Sequence, residues 1–215
     1  MIIDLHIHTH PLSPDSSQSP EEAVRYAKQI GLECICFTEH NRAWDENQIL
    51  ELSNQLEFPV LHGVEVDTVE GHVLVFGLHR DFEGIIRVEE LHKLVREVNG
   101  VMIAAHPFKG FRAFGLSDLN LSIEQASEKP VFRHVELLEG FNGRSLEREN
   151  RLVQDVAGLL GLKTVGGSDA HATQEIGRCV TIFDNEISKE AELLIELKEG
   201  RFRPGILADG AFVDR

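Results

Sequence analysis

Cysteine is scarce in this 215-residue chain: Cys34, Cys36 and Cys179 are the only three. Three thiols do not make a disulfide framework, so the core must carry the fold. Basic charge is also short, with 21 Lys and Arg against 36 Asp and Glu and a formal charge of −15. Such a surface repels a phosphate backbone and disfavours non-specific grip on long nucleic acid. No apolar stretch approaches the ~20 residues that span a bilayer. There is no Gly/Ser linker, no block of like charge and no repeat at a fixed period. The N-terminus enters a strand-like run at Ile2 with no basic segment ahead of an apolar one. The expectation is a cytoplasmic protein without a secretory leader. A hydrophobic fraction of 42% is ordinary for a globular protein, and the length suits a single domain over residues 1–215.

What the chain does have is a repeated punctuation. Short apolar runs end in His, Asp or Glu: Ile2-Ile3-Asp4-Leu5 before His6-Ile7-His8, and Cys34-Ile35-Cys36-Phe37 before Thr38-Glu39-His40. Val60 to Val64 precedes Glu65, Val101 to Ala105 precedes His106-Pro107-Phe108, and Thr164 to Ser168 precedes Asp169-Ala170-His171. Such runs, separated by helical stretches, read as buried parallel strands. In a parallel barrel the C-terminal strand ends converge on one face, where residues distant in sequence meet.

The intervening segments support that alternation. Ser19-Pro20-Glu21-Glu22 carries an N-cap, a proline at the first helical position and a glutamate three residues past the cap. Further helices are predicted near 45–56, 87–98, 116–127 and 145–160, and one after Ser188 ending before Gly200. Strands are predicted at 33–37, 59–64, 72–78, 101–105, 133–138, 163–166 and 178–183. In the 72–78 strand the polar residue, His72, stands at the start, which fits an antiparallel strand or entry from a loop. The pattern is α/β with seven or eight strands.

On a strand, residues i and i+2 point the same way, so His6 and His8 can reach one ion. Asp169 and His171 repeat that spacing. Glu65 and Asp169 each end an apolar run, where an unpartnered buried carboxylate is costly and a cation is the natural partner. Glu65, central in the order of elements, is placed to bridge two ions. Taken singly, His40 and His106 fit a structural role better than a ligand role. Cys34 and Cys36 share a strand face, but a thiolate site needs more sulfur nearby, so both are assigned to packing.

The motifs Asp-Leu-His-Ile-His-Thr, Phe-Thr-Glu-His, Gly-Val-Glu-Val, Ala-His-Pro-Phe and Gly-Gly-Ser-Asp-Ala-His together resemble those of the PHP (polymerase and histidinol phosphatase) superfamily. They stand in that family's order from residue 4 to residue 171. The resemblance implies a distorted (β/α)7 TIM-like barrel and a site for two or three divalent ions, Mn, Zn or Fe. By that resemblance one ion takes His6, His8, Glu65 and Asp169. A second shares Glu65 and adds His72 and His106. A third takes Asp15, His40 and His171. Asp15 lies in a Ser-Pro-Asp-Ser loop that also suits an ordinary Asx turn. Glu139 and Asn142 match the family's polar strand end, with a role behind the ligands.

The activity expected on this basis is hydrolysis of a phosphoester, with Glu65, His72 and Asp169 at the reacting centre and a metal-bridged hydroxide as nucleophile. The expected substrate is a small anionic phosphomonoester or a nucleotide. Lys109, Arg112, Arg144 and Arg178 stand near strand ends as phosphate-binding candidates, and His10 is a weaker substrate contact. His62, His92 and His134 are read as structural. One rival is an amidohydrolase-like barrel that cleaves C–N or C–O bonds, which a strand-borne lysine bridging two metals would favour. The other is a non-catalytic metal-binding module, which missing ligands would mark. Oligomeric state is open.

Overall fold

A computed structural model describes residues 1–109, 122–208 and 211–214. Ten strands form one mixed sheet: β1 (Ile2–Ile7), β2 (Cys34–His40), β3 (Val60–Thr68), β4 (Gly71–Phe76), β5 (Val101–Ala104), β6 (Leu137–Asn142), β7 (Lys163–Gly167), β8 (Cys179–Phe183), β9 (Phe202–Ala208) and β10 (Ala211–Asp214). The helices are α1 (Pro20–Gln29), α2 (Glu46–Leu56), α3 (Val88–Glu97), α4 (Ile123–Ser127), α5 (Glu147–Leu160) and α6 (Glu190–Glu199). The predicted cap of α1 is present in full: Ser19 accepts from Glu22 N–H, and the Glu22 side chain returns to the Ser19 N–H.

The strand order is β10-β9-β8-β1-β2-β3-β4-β5-β6-β7. β1, β2 and β3 are parallel, as are β5, β6 and β7. β4 runs antiparallel to both its neighbours, so its first residues lie at the edge where β3 ends. That places His72, opposite Asp67 in register, beside the other strand ends. β7 is last in the order and β1 lies in the middle, yet His8 N–H donates to Ala170 O at 2.9 Å. The sheet therefore curls until the segment after β7 meets the end of β1. The seam is completed by Thr181 of β8, whose hydroxyl accepts from Gly166 N–H at 3.0 Å and donates to Gly166 O at 2.9 Å.

The α/β architecture and the barrel-like curl agree with the sequence reading, but the simple (β/α)7 pattern does not describe the sheet. Four strands break the parallel alternation, and β9 and β10 add a hairpin beyond the seven or eight strands that patterning assigns. The predicted strand at 133–138 is displaced: Pro130–Arg133 form a 3₁₀ turn, and β6 starts at Leu137. Pro130 suits the first position of such a turn. Glu139 lies within β6 and Asn142 is its last residue, the expected polar strand end, and both are buried. The predicted helix near 116–127 is seen as α4, its earlier portion lying outside the described residues.

Two layers of apolar packing hold the sheet. Ile3, Leu5, Leu61, Leu74, Ile103 and Val165 pack with Leu193 and Leu197 of α6. On the other face α3 and α5 cover one part of the sheet, and α1 and α2 cover another. Cys34, Cys36 and Cys179 are buried and unbridged, as packing residues should be.

Candidate metal centre

The strand ends, with Asp15 from the loop after β1, bring eight donor residues around Glu65. His6 Nε2 and His8 Nε2 lie 3.0 Å apart, which confirms that the two rings share a direction. Glu65 Oε2 is 3.5 Å from His6 Nε2, 3.3 Å from His8 Nε2 and 3.0 Å from His40 Nδ1. Asp169 Oδ1 stands 3.8 and 3.5 Å from the same His6 and His8 nitrogens. The other oxygen, Glu65 Oε1, is 3.0 Å from both His72 Nδ1 and His106 Nε2. Asp15 Oδ2 lies 3.1 Å from His171 Nε2 and 3.4 Å from His40 Nε2. Each of the three sets carried over from the resemblance is thus assembled in space.

The chemistry of this set fits divalent ions. Glu65 is fully buried, and its Oε2 has three imidazole nitrogens near it but none aligned to donate a hydrogen bond. A buried orphan oxygen of this kind needs a cation. Two ring nitrogens at 3.0 Å cannot both carry a proton, yet both can face an ion with their lone pairs. Compact groups of potential ligands occur at His6-His8-Asp169, Glu65-His72-His106 and His8-His40-His171. Neutral imidazole with carboxylate suits Zn, Mn or Fe.

Charge in the centre is strongly coupled. Burial pushes the Glu65 carboxyl up, but the charge of His6 and the close approach of His106 and His40 outweigh it and hold it well below the usual range. Asp169 behaves likewise: burial opposes ionisation, and His6, His8 and His106 more than reverse that. Burial lowers His6, while Glu139, Glu65 and Asp169 raise it well above an ordinary histidine. The pocket of carboxylates demands positive charge, which a proton supplies when an ion does not. His171 is held below its ordinary value by burial and by His8, with Arg144 adding to the effect. That direction favours the neutral form, which a ligand needs.

Supporting contacts orient the ligands. Glu139 Oε1 lies 2.8 Å from His6 Nδ1, while its Oε2 accepts from His106 N–H at 2.9 Å and Asn142 Nδ2 at 3.0 Å. Gly167 permits this: a Cβ there would stand 2.6 Å from both Glu139 Oε1 and His6 Cβ. His106 and Asp169 have φ of 27° and 56°, left-handed backbone that costs a residue with a side chain about 1–3 kcal/mol each.

Two further supports carry no assigned role in the sequence reading. Asp4 accepts from the N–H groups of His6, Ser168 and Gly177 at 3.2, 2.9 and 2.9 Å, tying β1 to the segment after β7. Burial raises its pKa to about 6. Glu39 accepts from Thr9 N–H at 2.8 Å and Ser13 Oγ at 2.5 Å, and Ser13 Oγ lies 3.2 Å from His8 Nδ1. The available signal was a carboxylate standing inside an apolar strand run.

A pocket of about 410 Å³ opens over the ligands and is lined by Lys109, Lys129 and Arg144 among others. Lys109 Nζ pairs with Asp169 Oδ2. Arg144 Nη1 is 2.7 Å from His171 Nδ1. Lys129 has no counterpart in the sequence reading, since a Lys-Pro step in an irregular stretch carries no motif. Arg178 lines a separate cleft beside α5 and sits 3.6 Å from Glu175. His10 is exposed and does not line the pocket. Arg112 lies outside the described residues. His62 is buried, and His92 Nδ1 is 2.9 Å from His134 O. Among the described residues no helix is long and apolar enough to cross a membrane.

Comparison with known proteins agrees with this architecture. Residues 147–202, from α5 to the start of β9, match the PHP-associated family. An uncharacterized protein of Methanocaldococcus jannaschii is 30% identical over 117 residues, covering 50% of this chain and 68% of the relative. A Bifidobacterium adolescentis protein proposed to be a metal-dependent phosphoesterase has a similar fold, with a TM-score of 0.64, 15% identity and 91% and 96% of the two chains covered. An amidohydrolase from Chromobacterium violaceum, solved with sulfate and no metal, also has a TM-score of 0.64 and 15% identity, covering 93% and 96%. Five ordered motifs converge on one centre, and the C-terminal segment and the overall fold match independently: the chain belongs to the PHP superfamily.

Proposed function

We propose that this chain is a metal-dependent phosphoesterase acting on a small phosphorylated substrate. The observation that carries the reading is a buried carboxylate, Glu65, with both oxygens facing imidazoles, beneath a pocket whose cations are Lys109, Lys129 and Arg144. His6, His8, Glu65 and Asp169 would hold one divalent ion, Glu65, His72 and His106 a second, and Asp15, His40 and His171 a third. Ions so held supply Lewis acidity toward phosphoryl oxygens and acidify water near neutral pH.

The chain's own residues do the rest. Glu139 fixes the proton of His6 on Nδ1, which leaves Nε2 free to face the cluster. Asn142 donates to Asp169 Oδ2 at 3.3 Å, and Lys109 holds that same oxygen, which turns Oδ1 toward His6 and His8. Arg144 and Lys109 lie where they stabilise charge on a phosphoryl group. Hydrolysis places the oxygen of water on phosphorus and breaks the ester P–O bond. A proton goes to the departing alkoxide.

The test is a screen of phosphomonoesters, nucleotides and oligonucleotides with Mn, Zn and Mg, run beside lactones and amides. Phosphoester hydrolysis abolished by chelator is expected. Hydrolysis of lactones or amides alone would overturn the reading. The similar fold of an amidohydrolase keeps that second class in the screen. The lysine it calls for is lacking, however: the strand lysine among the described residues is Lys163, which donates to Gly200 O at the far end of β7.

A further inference from the structure

His171 stands between two sets of hydrogen-bond partners. Its Nδ1 lies 2.9 Å from Asp169 O and 2.7 Å from Arg144 Nη1. Its Nε2 lies 3.1 Å from Asp15 Oδ2 and 3.4 Å from His40 Nε2. A neutral imidazole carries one hydrogen on one of its nitrogens, and a guanidinium can only donate. The Asp169 carbonyl therefore needs the hydrogen on Nδ1, whereas Arg144 needs the lone pair there. One ring cannot satisfy both.

Each arrangement is complete by itself. With the hydrogen on Nε2, that nitrogen donates to the Asp15 carboxylate and Nδ1 accepts from Arg144. With the hydrogen on Nδ1, that nitrogen donates to Asp169 O, and Nε2 presents its lone pair beside Asp15 and His40. A ligand histidine tied to a backbone carbonyl has this second form. Only the second form can hold an ion through Nε2. Arg144 is the movable member of the group. The residue is exposed, its backbone N–H donates to Asn142 Oδ1 at 3.0 Å, and it lines the pocket over the ligands.

We propose that Arg144 couples the third ion site to the substrate: it caps His171 Nδ1 while Nε2 carries the hydrogen, and coordination through Nε2 releases it to a phosphoryl group. The proposal rests on the phosphoesterase reading above. Coordination requires the hydrogen on Nδ1, where it meets Asp169 O and leaves the guanidinium without an acceptor. The ring gains and loses no net proton, since the hydrogen only changes nitrogen. A phosphoryl oxygen then gives Arg144 a charge-assisted partner in place of the one it lost. By linkage, a phosphorylated ligand that takes Arg144 favours the ion held by Asp15, His40 and His171 by the same factor. A chain short of that ion keeps one of its phosphate-binding cations occupied.

The experiment is nitrogen NMR of isotope-labelled histidines in the full chain, metal-free and titrated with Zn. It reads which ring nitrogen carries the hydrogen, and His171→Gln assigns the signal. In the metal-free wild type we expect the His171 hydrogen on Nε2, and Zn should move it to Nδ1. Arg144→Met should place it on Nδ1 already in the metal-free chain. The Zn uptake that shifts the His171 signal should also tighten in that variant by about tenfold, the worth of one released charge-assisted hydrogen bond. Tighter Zn with the hydrogen unmoved would show an effect of charge alone and would overturn the proposal. So would a wild-type His171 with the same nitrogen protonated with and without Zn. The wild-type comparison remains a test even where Arg144→Met fails to fold. A Zn-loaded chain that shows the exchange but hydrolyses no phosphoester would overturn the phosphoesterase reading instead, an outcome the spectra keep distinct.

Discussion

Glu139 belongs to none of the three ligand sets carried over from the family, yet two ligands depend on it. It meets His6 at Nδ1 and takes the backbone N–H of His106. Its loss frees the His6 ring and leaves a buried N–H without a partner. Glu139→Ala is therefore expected to weaken metal binding by about 10- to 100-fold in a chelator competition assay; wild-type affinity would show that the ring is held otherwise. Gly167→Ala acts on the same contact from the other side. Its methyl group would meet Glu139 and His6, and both lie in a packed interior. We expect a stability loss of about 1–3 kcal/mol by denaturant titration, with metal affinity falling in parallel.

His62 gives a residue-scale prediction away from the metals. It is buried, its ring centre is 4.3 Å from that of His79, and its Nδ1 has no hydrogen-bond partner. Burial, and then the neighbouring His79, lower its pKa from 6.5 to about 4. The unfolded chain takes up this proton near pH 6.5 and the folded chain only near 4. The contribution to stability is thus complete above pH 6.5 and is lost as pH falls toward 4, by up to about 1.4 kcal/mol per pH unit. Denaturant titrations across that window should fall less steeply for His62→Leu than for the wild type. Parallel curves would contradict the assignment.

At the scale of elements, the seam of the curled sheet is the sensitive place. β7 reaches β8 through one side chain, Thr181, which satisfies both the N–H and the C=O of Gly166. Thr181→Val keeps the shape and leaves two buried backbone groups unpaired, at a cost of about 1–3 kcal/mol each. Because β7 carries Asp169 and His171 just beyond its end, the loss should appear both as a lower Tm and as weaker metal binding. A change in neither would mean the seam is held elsewhere. The order of elements also explains which features are legible in the sequence. Parallel strands with both faces covered leave long apolar runs, so β1, β2, β3, β5 and β7 and the ligands at their ends stand out. β6 does not, because Glu139 and Asn142 are buried against His6 and Asp169 rather than against apolar neighbours. A pattern that equates burial with hydrophobicity shifts this strand toward the 3₁₀ turn before it. β9 and β10 are obscured for a related reason, since Arg203, Pro204 and Gly205 break the apolar run in β9.

Taken whole, the molecule places its positive charge where its function would use it. The chain carries a formal charge of −15, yet three cationic side chains line the pocket over the buried carboxylates. The ligands are visible in sequence as polar residues at strand ends, whereas Lys129 and Asp4 become meaningful only once folding brings residue 129 beside Pro107 and residue 4 beside Gly177. A folded state organised around such a centre is stabilised by the ion it holds. Ligand at about 100 times its Kd contributes about 2.7 kcal/mol, so chelation should lower Tm by several degrees, and re-addition of Mn or Zn should restore it.

The central claim is that Glu65 joins two ion sites, and the measurement closest to it is the metal content of the purified protein beside Glu65→Gln. At least two ions are expected per wild-type chain, and at least one fewer in the folded variant, which loses the shared charge. A wild-type chain that takes up no more than one ion in excess metal, or a Glu65→Gln chain with the full complement, would contradict it.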